Sequence, residues 1–504
     1  MNIDSVLADI KRLSGKSAIY GLGSIILRVI GFALLPIYTR FLTPADYGIL
    51  AVAGIVSSIL GILLSLSLHA SLNPIYFRAA EQREKRAALG TVWLALVILS
   101  GAMTILLDQV GSSVFSLFFR NVPFNPYIRL AIWAAFLNVF GLVPLNLLQI
   151  QERAALYVLF TVINVLLQIG LVLFFLVICG LGAQGYLMGT LLGALVMALP
   201  FSWLVLCNVR PTWRWGFLKR ALAYSLPLVP HALSGWVLDL SDRAILERFV
   251  SLEELGLYSL GYIYGSAMNM VAYAINSAWV PYLFQRDAHE NGDSSYHLAR
   301  LGTYFAAFLC FVALALGLFS KEVIRLMTTP AFFSAARVAP WIVAGWLLSG
   351  LYYFPINFLF LRQKTAAVPL ATMVSGLLNI GLNLWLVPLY GIMAAAWVTF
   401  ISYGLMLVLA WWLGFRAYPL PYEYGRLAKV GVTTLMLWIS GSLIEFPNLA
   451  WSVAAKSFLL AAYPLALLIF GFFLPSEKQH VSHCIGALFG RLKKSVSLSD
   501  VSGN

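Results

Sequence analysis

The sequence predicts an all-α polytopic membrane protein with about 14 transmembrane helices. Three observations support this fold class. Hydrophobic residues make up 61% of the 504 residues and charged residues only 11%, whereas a soluble domain carries about 25% charged residues. The mean hydropathy is +0.87. The apolar residues form continuous runs of the roughly 20 residues that a spanning helix requires, without the alternation of outer-membrane barrel strands. A soluble domain and an outer-membrane barrel are therefore both excluded.

Charged residues, glycines and prolines bound the individual apolar runs. Each run is expected to be a helix, because an open strand leaves backbone groups without hydrogen-bond partners in lipid. The first six lie at 17–39, 49–72, 89–109, 127–148, 155–178 and 184–206. The next six lie at 225–247, 257–280, 301–319, 338–360, 366–388 and 391–413. Two more, at 428–446 and 450–474, precede a basic, serine-rich tail.

The distribution of basic residues predicts the orientation of these spans. The chain carries 33 Lys and Arg against 20 Asp and Glu, a net charge of +13. With the N-terminus in the cytoplasm, 23 of the 33 basic residues fall on the cytoplasmic side, about seven on the opposite side and three inside spans. Basic residues collect in cytoplasmic loops, so both termini are expected in the cytoplasm and no nucleic-acid partner is needed to explain the charge. No removable signal peptide is predicted.

Two parts of the chain repeat each other at nearly constant spacing. An offset of 211 residues relates GLVPLN (141–146) to YYFPIN (352–357), Arg153 to Lys364, and Gly180 to Gly391. An offset of 208 relates RFLTPADYGIL (40–50) to RFVSLEELGLY (248–258). Spans 1–6 and 7–12 are therefore expected to be two copies of a six-helix unit. Because six is an even number, the two copies have the same orientation in the membrane.

The repeat predicts four regions in the chain. They are an N-terminal six-helix bundle (1–210), a C-terminal six-helix bundle (211–420), accessory spans 13 and 14 (421–475) and a basic cytoplasmic tail (476–504). Parallel repeats related by an axis along the membrane normal are a transporter architecture, with the substrate bound at the repeat interface. Prolines inside spans, such as Pro144 and Pro355, indicate kinks that allow bending between inward-open and outward-open states.

The seventh span carries the densest group of charges within the membrane, namely Asp239, Asp242, Arg243 and Glu247. Each costs about 2.5–3.5 kcal/mol on insertion scales, so such residues normally face an aqueous cavity or a partner. The i,i+4 spacing of Asp239, Arg243 and Glu247 places them on one helical face. They form either an ion-pair network that locks the helix or an ion-coupling site with Asp239 or Glu247 as the proton carrier.

Arginines on the two repeat-related helices predict where a substrate binds. Arg28 lies near the middle of the first span and Arg40 at its outer end, while Arg248 follows Arg243 at the end of the seventh span. Guanidinium groups stay charged and bind phosphate oxygens bidentately, so these four arginines predict a cavity for an anionic, phosphate-containing substrate. The alternatives are snorkelling to the interface for Arg28 and anchoring at helix ends for Arg40 and Arg248.

Aromatic residues near these charges are candidates for sugar stacking. Trp236 lies in the seventh span, and Tyr258 and Tyr262 lie in the eighth. Their rings can stack on sugar faces while presenting a polar edge. Core packing and an interfacial aromatic belt are the alternative.

The sequence contains no motif for catalysis or metal binding. Zinc-protease, Walker and nucleophile-elbow patterns are absent, and His69, His231 and the four cysteines show no metal-type spacing. The longest loops, 110–126 and 320–337, have only about 17 residues, whereas a polysaccharide polymerase or ligase is expected to carry a large periplasmic loop. We therefore expect no enzyme activity, no cofactor and no metal.

Two stretches resemble polysaccharide exporters of the O-antigen flippase type, which belong to the multidrug/oligosaccharidyl-lipid/polysaccharide exporter superfamily. They are YGLGSIILRVIGFALLPIYTRFLTPADYGIL (20–50) and SLPLVPHALSGWVLDLSDRAILERFVSLEELGLYSLGY (225–262). The Asp242-Arg243 pair followed by LGLYSLGY is typical of them, as are LGAQGYLMG (181–189) and YGIMAAAWVTF (390–400) at the start of spans 6 and 12. The resemblance covers roughly residues 15–475.

This resemblance implies two six-helix bundles in a V-shaped arrangement. It implies translocation of an undecaprenyl-pyrophosphate-linked oligosaccharide, a repeat unit of O-antigen, capsule or exopolysaccharide, from the cytoplasmic to the periplasmic leaflet. Arg28 and Arg243 match the positions where such proteins place cationic cavity residues. A bacterial inner-membrane location, a role in lipopolysaccharide or other polysaccharide synthesis, and a polymerase and chain-length regulator as partners are implied as well.

Two further functions within this superfamily stay open at this point. One is a cation-coupled multidrug exporter, which would use acidic cavity residues. Arg28 argues against it, because a cationic drug would be repelled. The other is a lipid II-type flippase. The sequence does not distinguish proton from sodium coupling, and it does not identify the sugar.

Overall fold

The computed structural model describes residues 30–78, 81–289, 295–364, 367–444, 446–475 and 477. Within these ranges the regular secondary structure is helical and contains no strand, which confirms the predicted all-α fold class. Most of the predicted first span, with Arg28, and nearly all of the tail lie outside the described residues.

The part of the chain that corresponds to the first repeat contains eight α-helices. They are α1 (Leu35–Phe41), α2 (Pro44–Ser65), α3 (Leu72–Arg78), α4 (Gln82–Ser116), α5 (Arg129–Val139), α6 (Leu142–Ile150), α7 (Ala154–Leu173) and α8 (Gly182–Asn208). A 3-10 turn, Leu68–Ser71, precedes α3, and π-helical turns lie at Phe124–Ile128 and Phe174–Ile178.

The second repeat and the C-terminal region follow the same helical pattern. Their helices are α9 (Trp215–Ser225), α10 (Leu228–Phe249), α11 (Leu252–Gly265), α12 (Ala267–His289), α13 (Ser295–Met327), α14 (Ala339–Leu361), α15 (Val368–Ala417), α16 (Tyr424–Leu443) and α17 (Leu449–Ile469). A 3-10 helix, Pro330–Arg337, leads into α14.

The number of membrane-crossing helices depends on how broken helices are counted. Nine helical segments of the described chain are long and apolar enough to cross a membrane, or ten if Trp215–Val237 and Asp239–Phe249, which meet at 57°, form one broken span. Helix α15 has 50 residues and a break at Gly391, where φ is 59° and ψ is −139°. It therefore covers the predicted span 391–413 and, from Val368 onward, the predicted span 366–388. The total of 14 stays a prediction.

The backbone repeats with the sequence at the offset of 211 residues. Glu152 and Gln363 both have a φ of 56°, and Gly180 and Gly391 have φ values of 65° and 59°. Positive φ is uncommon, above all for residues other than glycine. Two such pairs at one offset show that the two copies share the same unusual turns.

The offset of 208 residues also relates two helix starts. The Asp46 N–H donates to the Thr43 side chain at the start of α2, over 3.1 Å. The Glu254 N–H donates to the Ser251 side chain at the start of α11, over 3.2 Å. Hydroxyl caps of this kind satisfy one of the free N–H groups at a helix start, so both copies begin this helix in the same way.

Helices α2 and α11 cross with their N-terminal ends together. A Cβ atom on Gly48 of α2 would overlap the carbonyl oxygen of Leu252, and one on Gly256 of α11 would overlap the carbonyl oxygen of Pro44. Gly48 and Gly256 are repeat partners, and so are Pro44 and Leu252. The contact is therefore self-complementary, as expected for two copies of a helix that have the same orientation and are related by an approximate two-fold axis.

Packing divides the chain into two units. The first comprises Met1–Asn276 and Ser320–Tyr418, and the second comprises Ser277–Phe319 and Pro419–Asn504. One division, between Tyr418 and Pro419, lies near the predicted boundary at residue 420, whereas none lies near those at 210 and 475. The four predicted regions stay a prediction. Every predicted site residue that the structure describes lies in the first unit.

The second unit is held together by polar contacts between its helices. Arg426 of α16 forms ion pairs with Glu423 at 2.9 Å and Glu477 at 3.0 Å. The Tyr463 hydroxyl of α17 donates to the Ala307 carbonyl of α13 over 3.0 Å. The accessory helices α16 and α17 therefore pack on part of α13 as one unit.

Candidate functional site

A cluster of polar side chains lies among helices α10, α11 and α15 of the first unit. Helix α10 packs on α15 and on α2, and α11 packs on α2 and α14. Asp239, Arg243 and Glu247 recur every four residues along the second half of α10, and Ser241 and Asp242 lie between them. Ser241 reaches α15 and Asp242 reaches α11, so α10 presents polar side chains to more than one neighbour. The cluster is defined by Asp239, Ser241, Asp242, Arg243, Tyr258, Tyr262, Asn379, Asn383 and Tyr403.

Arg243 is at the centre of the cluster and is only 7% exposed. Its Nη1 donates to the backbone carbonyl of Asp239 over 2.7 Å and lies 3.7 Å from Oδ1 of Asp242. The guanidinium carbon lies 3.8 Å from the ring centroid of Tyr262 and 6.0 Å from that of Tyr258. The charge is therefore stabilised by two aromatic faces, a carbonyl and a nearby carboxylate.

Asp242 is the buried carboxylate of the cluster, with 2% exposure. The Tyr258 hydroxyl donates to its Oδ2, and the backbone N–H of Arg243 donates to its Oδ1 over 2.7 Å. A buried carboxylate needs such donors together with a nearby cation. Asp242 therefore fixes the position of the Tyr258 hydroxyl and accepts the backbone N–H of Arg243.

Asp239 is the exposed carboxylate of the cluster. The Tyr403 hydroxyl of α15 donates to its Oδ1 over 3.2 Å, and Trp346 of α14 packs on the Tyr403 ring with centroids 5.2 Å apart. An exposed carboxylate beside a buried guanidinium can exchange its partner for water, a proton or a cation. This geometry suits the role of an ion-coupling residue.

Sequence reasoning missed the contribution of α15. Asn379 and Asn383 are both buried, and Asn383 Nδ2 donates to Asn379 Oδ1 over 2.9 Å. The Ser241 hydroxyl of α10 approaches the same Asn379 oxygen at 3.3 Å. A usable signal was present, since two asparagines at i,i+4 in an otherwise apolar span lie on one helical face and require polar partners.

Among the described residues, the i,i+4 ion pairs that were one alternative for the charges of α10 are not formed. Arg243 binds the backbone carbonyl of Asp239, and its close carboxylate is that of the adjacent Asp242. Glu247 bonds elsewhere. Helical spacing places Asp239, Arg243 and Glu247 on one face of α10. The Arg243 guanidinium nevertheless donates to the backbone carbonyl of Asp239 and not to its carboxylate.

Glu247 is fully buried, at 0% exposure, and binds the loop that follows α4. Its carboxylate accepts the Arg120 N–H at 2.8 Å and the Asn121 N–H at 2.6 Å. The Asn121 side chain donates back to the Glu247 carbonyl over 2.6 Å. Glu247 therefore connects the second repeat to a loop of the first.

The predicted aromatic residues have different environments. Trp236 is half-buried, and its Nε1 donates to the Ser58 hydroxyl of α2 over 3.0 Å. Tyr258 and Tyr262 are buried, and their rings face Arg243. The suggested stacking of these three rings on sugar stays a prediction.

The remaining predicted arginines are not part of the cluster. Arg40 is exposed in the last turn of α1, and Arg248 is exposed in the last turn of α10. These positions fit helix-end anchors and the rim of a cavity equally well. Arg28 and the side chain of His231 lie outside the described part of the chain.

Comparisons with known proteins identify the family of the chain. A family model described as "Polysaccharide biosynthesis protein" matches residues 37–337, which is more than half of the chain. A sequence comparison with curated proteins found no match.

Two solved structures share the fold. "Lipid II flippase MurJ, inward closed conformation" superposes with a TM-score of 0.73 at 14% identity, over 90% of this chain and 98% of that one. "Inward-facing conformation of a multidrug resistance MATE family transporter of the MOP superfamily" superposes with a TM-score of 0.63 at 14% identity, over 81% and 96%. At these identities the comparison establishes the fold.

Proposed function

The chain belongs to the polysaccharide biosynthesis protein family, and from this premise we propose that it is a flippase for an undecaprenyl-pyrophosphate-linked oligosaccharide. The substrate is a repeat unit of O-antigen, capsule or exopolysaccharide, and alternating access moves it from the cytoplasmic to the periplasmic leaflet. The protein then resides in a bacterial inner membrane with both termini in the cytoplasm, and a polymerase and chain-length regulator are its partners. The fold shared with a lipid II flippase supports this proposal.

The observation that carries the proposal is the buried arginine of α10. Among the described residues, the Arg243 side chain makes one hydrogen bond, and the Asp242 carboxylate at 3.7 Å is beyond hydrogen-bond distance. A guanidinium has five N–H donors, so most of them are available to phosphate oxygens. Because Arg243 is nearly enclosed here, substrate binding requires its guanidinium to turn away from the Tyr262 ring.

Other residues complete the proposed site. Arg28 is the second cation for the pyrophosphate, and the exposed Arg40 and Arg248 attract the anionic headgroup at the rim. Trp236 stacks on sugar, whereas Tyr258 and Tyr262 can do so only after Arg243 has moved. In this proposal Arg28, Arg243, Arg40 and Arg248 bind the headgroup, and Trp236, Tyr258 and Tyr262 bind sugar.

The carboxylates of α10 take separate roles in this proposal. Asp239 is exposed and bonded by a hydroxyl that can donate or accept, so it is the residue for proton or sodium coupling. Asp242 is the carboxylate nearest to the Arg243 guanidinium and balances its charge, and Glu247 fixes the loop after α4. Coupling and substrate binding are thereby linked through neighbouring residues of one helix.

A cation-coupled multidrug exporter is the second candidate. The exposed Asp239 carboxylate and the fold shared with a multidrug transporter favour it. In that case the carboxylate binds a cationic drug, and the nearby Arg243 opposes it through like-charge repulsion. The two functions predict different cellular consequences of deleting the gene.

The decisive experiment deletes the gene and measures lipid-linked oligosaccharide and surface polysaccharide together. A flippase gives loss of the surface polymer, with lipid-linked repeat units accumulating on the cytoplasmic leaflet. The sugar composition of that intermediate identifies the substrate. Unchanged polysaccharide with altered resistance to dyes or drugs would establish the multidrug exporter instead.

Complementation of the deletion strain tests the arginine. We expect Arg243→Ala to reduce surface polymer at least about tenfold, since a charge-assisted hydrogen bond contributes about 1.5–3 kcal/mol. Arg243→Lys should restore part of the export, because it keeps the charge without the bidentate geometry. Arg83→Ala, which removes an exposed arginine of α4, should complement fully. Normal polymer with Arg243→Ala, at equal protein levels in the membrane, would refute the pyrophosphate role.

A further inference from the structure

A polar cavity lies in the first repeat, well away in sequence from the α10 cluster. It has a volume of about 400 Å³ and is formed where α3, α4, α6 and α8 begin or end. Ligand cavities typically have volumes of roughly 300–1,000 Å³. The polar side chains that line it include Tyr76, Gln82, Lys85, Arg86, Gln151 and Arg153.

The lining of this cavity is cationic. Lys85, Arg86 and Arg153 contribute three positive charges, and no acidic residue is among the lining residues. Within the described chain, none of the three has a carboxylate partner within 4 Å. The Lys85 ammonium lies 4.8 Å from the ring centroid of Tyr76, which holds it at the wall. Three cations converging on one cavity without a protein counter-ion indicate a site for an anion.

An exposed apolar side chain also lies next to the wall of the cavity. The ring of Phe77, which is 69% exposed, has its centroid 5.4 Å from that of the lining residue Tyr76. A soluble anion gains nothing from such a neighbour, whereas an amphiphile places its charged group in the cavity and a chain on the apolar side chain. The surrounding loops are those that the charge distribution assigns to the cytoplasm.

We propose that this cavity binds the phosphate group of an anionic lipid headgroup from the cytoplasmic leaflet. Arg86 and Arg153 bind phosphate oxygens through their guanidinium groups, Lys85 adds a third charge, and the Gln82 and Gln151 amides donate to the remaining oxygens. The site is separate from Arg243, and its test requires no transport. Its failure would therefore leave the proposed flippase function standing.

The test measures lipid binding by the purified full-length protein in detergent micelles, using native mass spectrometry with dioleoyl phosphatidylglycerol. Arg86→Gln combined with Arg153→Gln should weaken binding at least about tenfold, because two charge-assisted contacts are lost. The matched control combines Arg83→Gln with Lys219→Gln, which removes two exposed cations of the same predicted membrane surface that do not line the cavity. The control should bind as the unmodified protein does.

Three further arms make the outcome unambiguous. Arg86→Lys combined with Arg153→Lys should recover part of the binding, which would show that the glutamine variants lost charge and not their fold. Dioleoyl phosphatidylcholine, whose phosphate is neutralised within the headgroup, should bind more weakly than phosphatidylglycerol. Equal loss in the cavity variant and the control variant would overturn the proposal. Binding of inorganic pyrophosphate with the same variant dependence, but no binding of the lipid, would overturn it in favour of a soluble anion.

Discussion

Glu247 has a buried carboxylate whose hydrogen bonds go to backbone N–H groups of Arg120 and Asn121. Such an arrangement holds a loop in place more firmly than an ion pair between flexible side chains, because the donors belong to the main chain. Removing the carboxylate takes the acceptor from both N–H groups, and an unsatisfied donor costs about 1–3 kcal/mol when water cannot replace the acceptor.

We therefore expect Glu247→Ala to destabilise the protein by roughly 2–4 kcal/mol. This is the lower part of the range for two donors, because Arg120 and Asn121 are exposed and water replaces part of the lost acceptor. Glu247→Gln should cost less, because an amide oxygen can still accept one of these bonds. The measurement is thermal unfolding in detergent micelles. Glu253→Ala, on the exposed side of α11, is the control, and equal unfolding temperatures for Glu247→Ala and Glu253→Ala would contradict this role of the carboxylate.

Helix α10 shows which part of the site could be predicted at the level of residues. Because they are charged residues inside an apolar span, Asp239, Asp242 and Arg243 were predicted to face polar partners or an aqueous cavity. Their bonding was predicted less well, because spacing along one helix carries no information about acceptors on other helices. Tyr403 lies about 160 residues further along the chain, and only the packing of α15 on α10 brings its hydroxyl to Asp239.

At the scale of elements, the crossing of α2 and α11 depends on two glycines at its closest point. Any side chain at Gly48 or Gly256 would overlap a carbonyl of the opposite helix. Backbone cannot move aside as the end of a side chain can, so the helices must separate. Overpacking of this kind costs typically about 1–3 kcal/mol. Both N-terminal ends lie on the predicted periplasmic side, so this crossing holds the repeats together there.

We expect Gly48→Ala to lower the unfolding temperature in detergent and to reduce surface polymer in the complementation assay. Gly54→Ala on the same helix has open space around its Cβ position. It should be neutral or stabilising by about 0.5–1 kcal/mol, because alanine is the better helix former. If Gly48→Ala proves as stable and as active as Gly54→Ala, the close approach of the two helices is not required.

Sequence periodicity located the helices well because apolar length is what the membrane imposes on a span. The repeat was also readable, since the turn at Glu152 recurs at Gln363 with the same φ of 56°. The break within α15 at Gly391 coincides with a predicted span boundary. In contrast, α11 and α12 are separated by a turn near Ser266, and apolar composition alone gave no sign of it because both sides of the turn are apolar.

For the whole molecule, the positive-inside rule makes the most far-reaching prediction, the orientation of the chain in the membrane. Two native cysteines test it without foreign tags. Cys179 and Cys207 are both exposed. They lie at opposite ends of α8 and the turn that precedes it. With the N-terminus in the cytoplasm, Cys179 is expected on the periplasmic side and Cys207 on the cytoplasmic side.

Variants that retain one of these cysteines, with the other cysteines replaced by alanine or serine, report the orientation directly. A membrane-impermeant maleimide added to intact spheroplasts should label Cys179 at once and Cys207 only after the membrane is permeabilised. The two residues are joined by one helix of 27 residues, Gly182–Asn208, which is about 40 Å long at 1.5 Å per residue and long enough to place them on opposite sides. Labelling of Cys207 first would reverse the orientation. It would also move the cationic cavity of Arg86 and Arg153 to the periplasmic surface, where an anionic lipid of the cytoplasmic leaflet could not reach it.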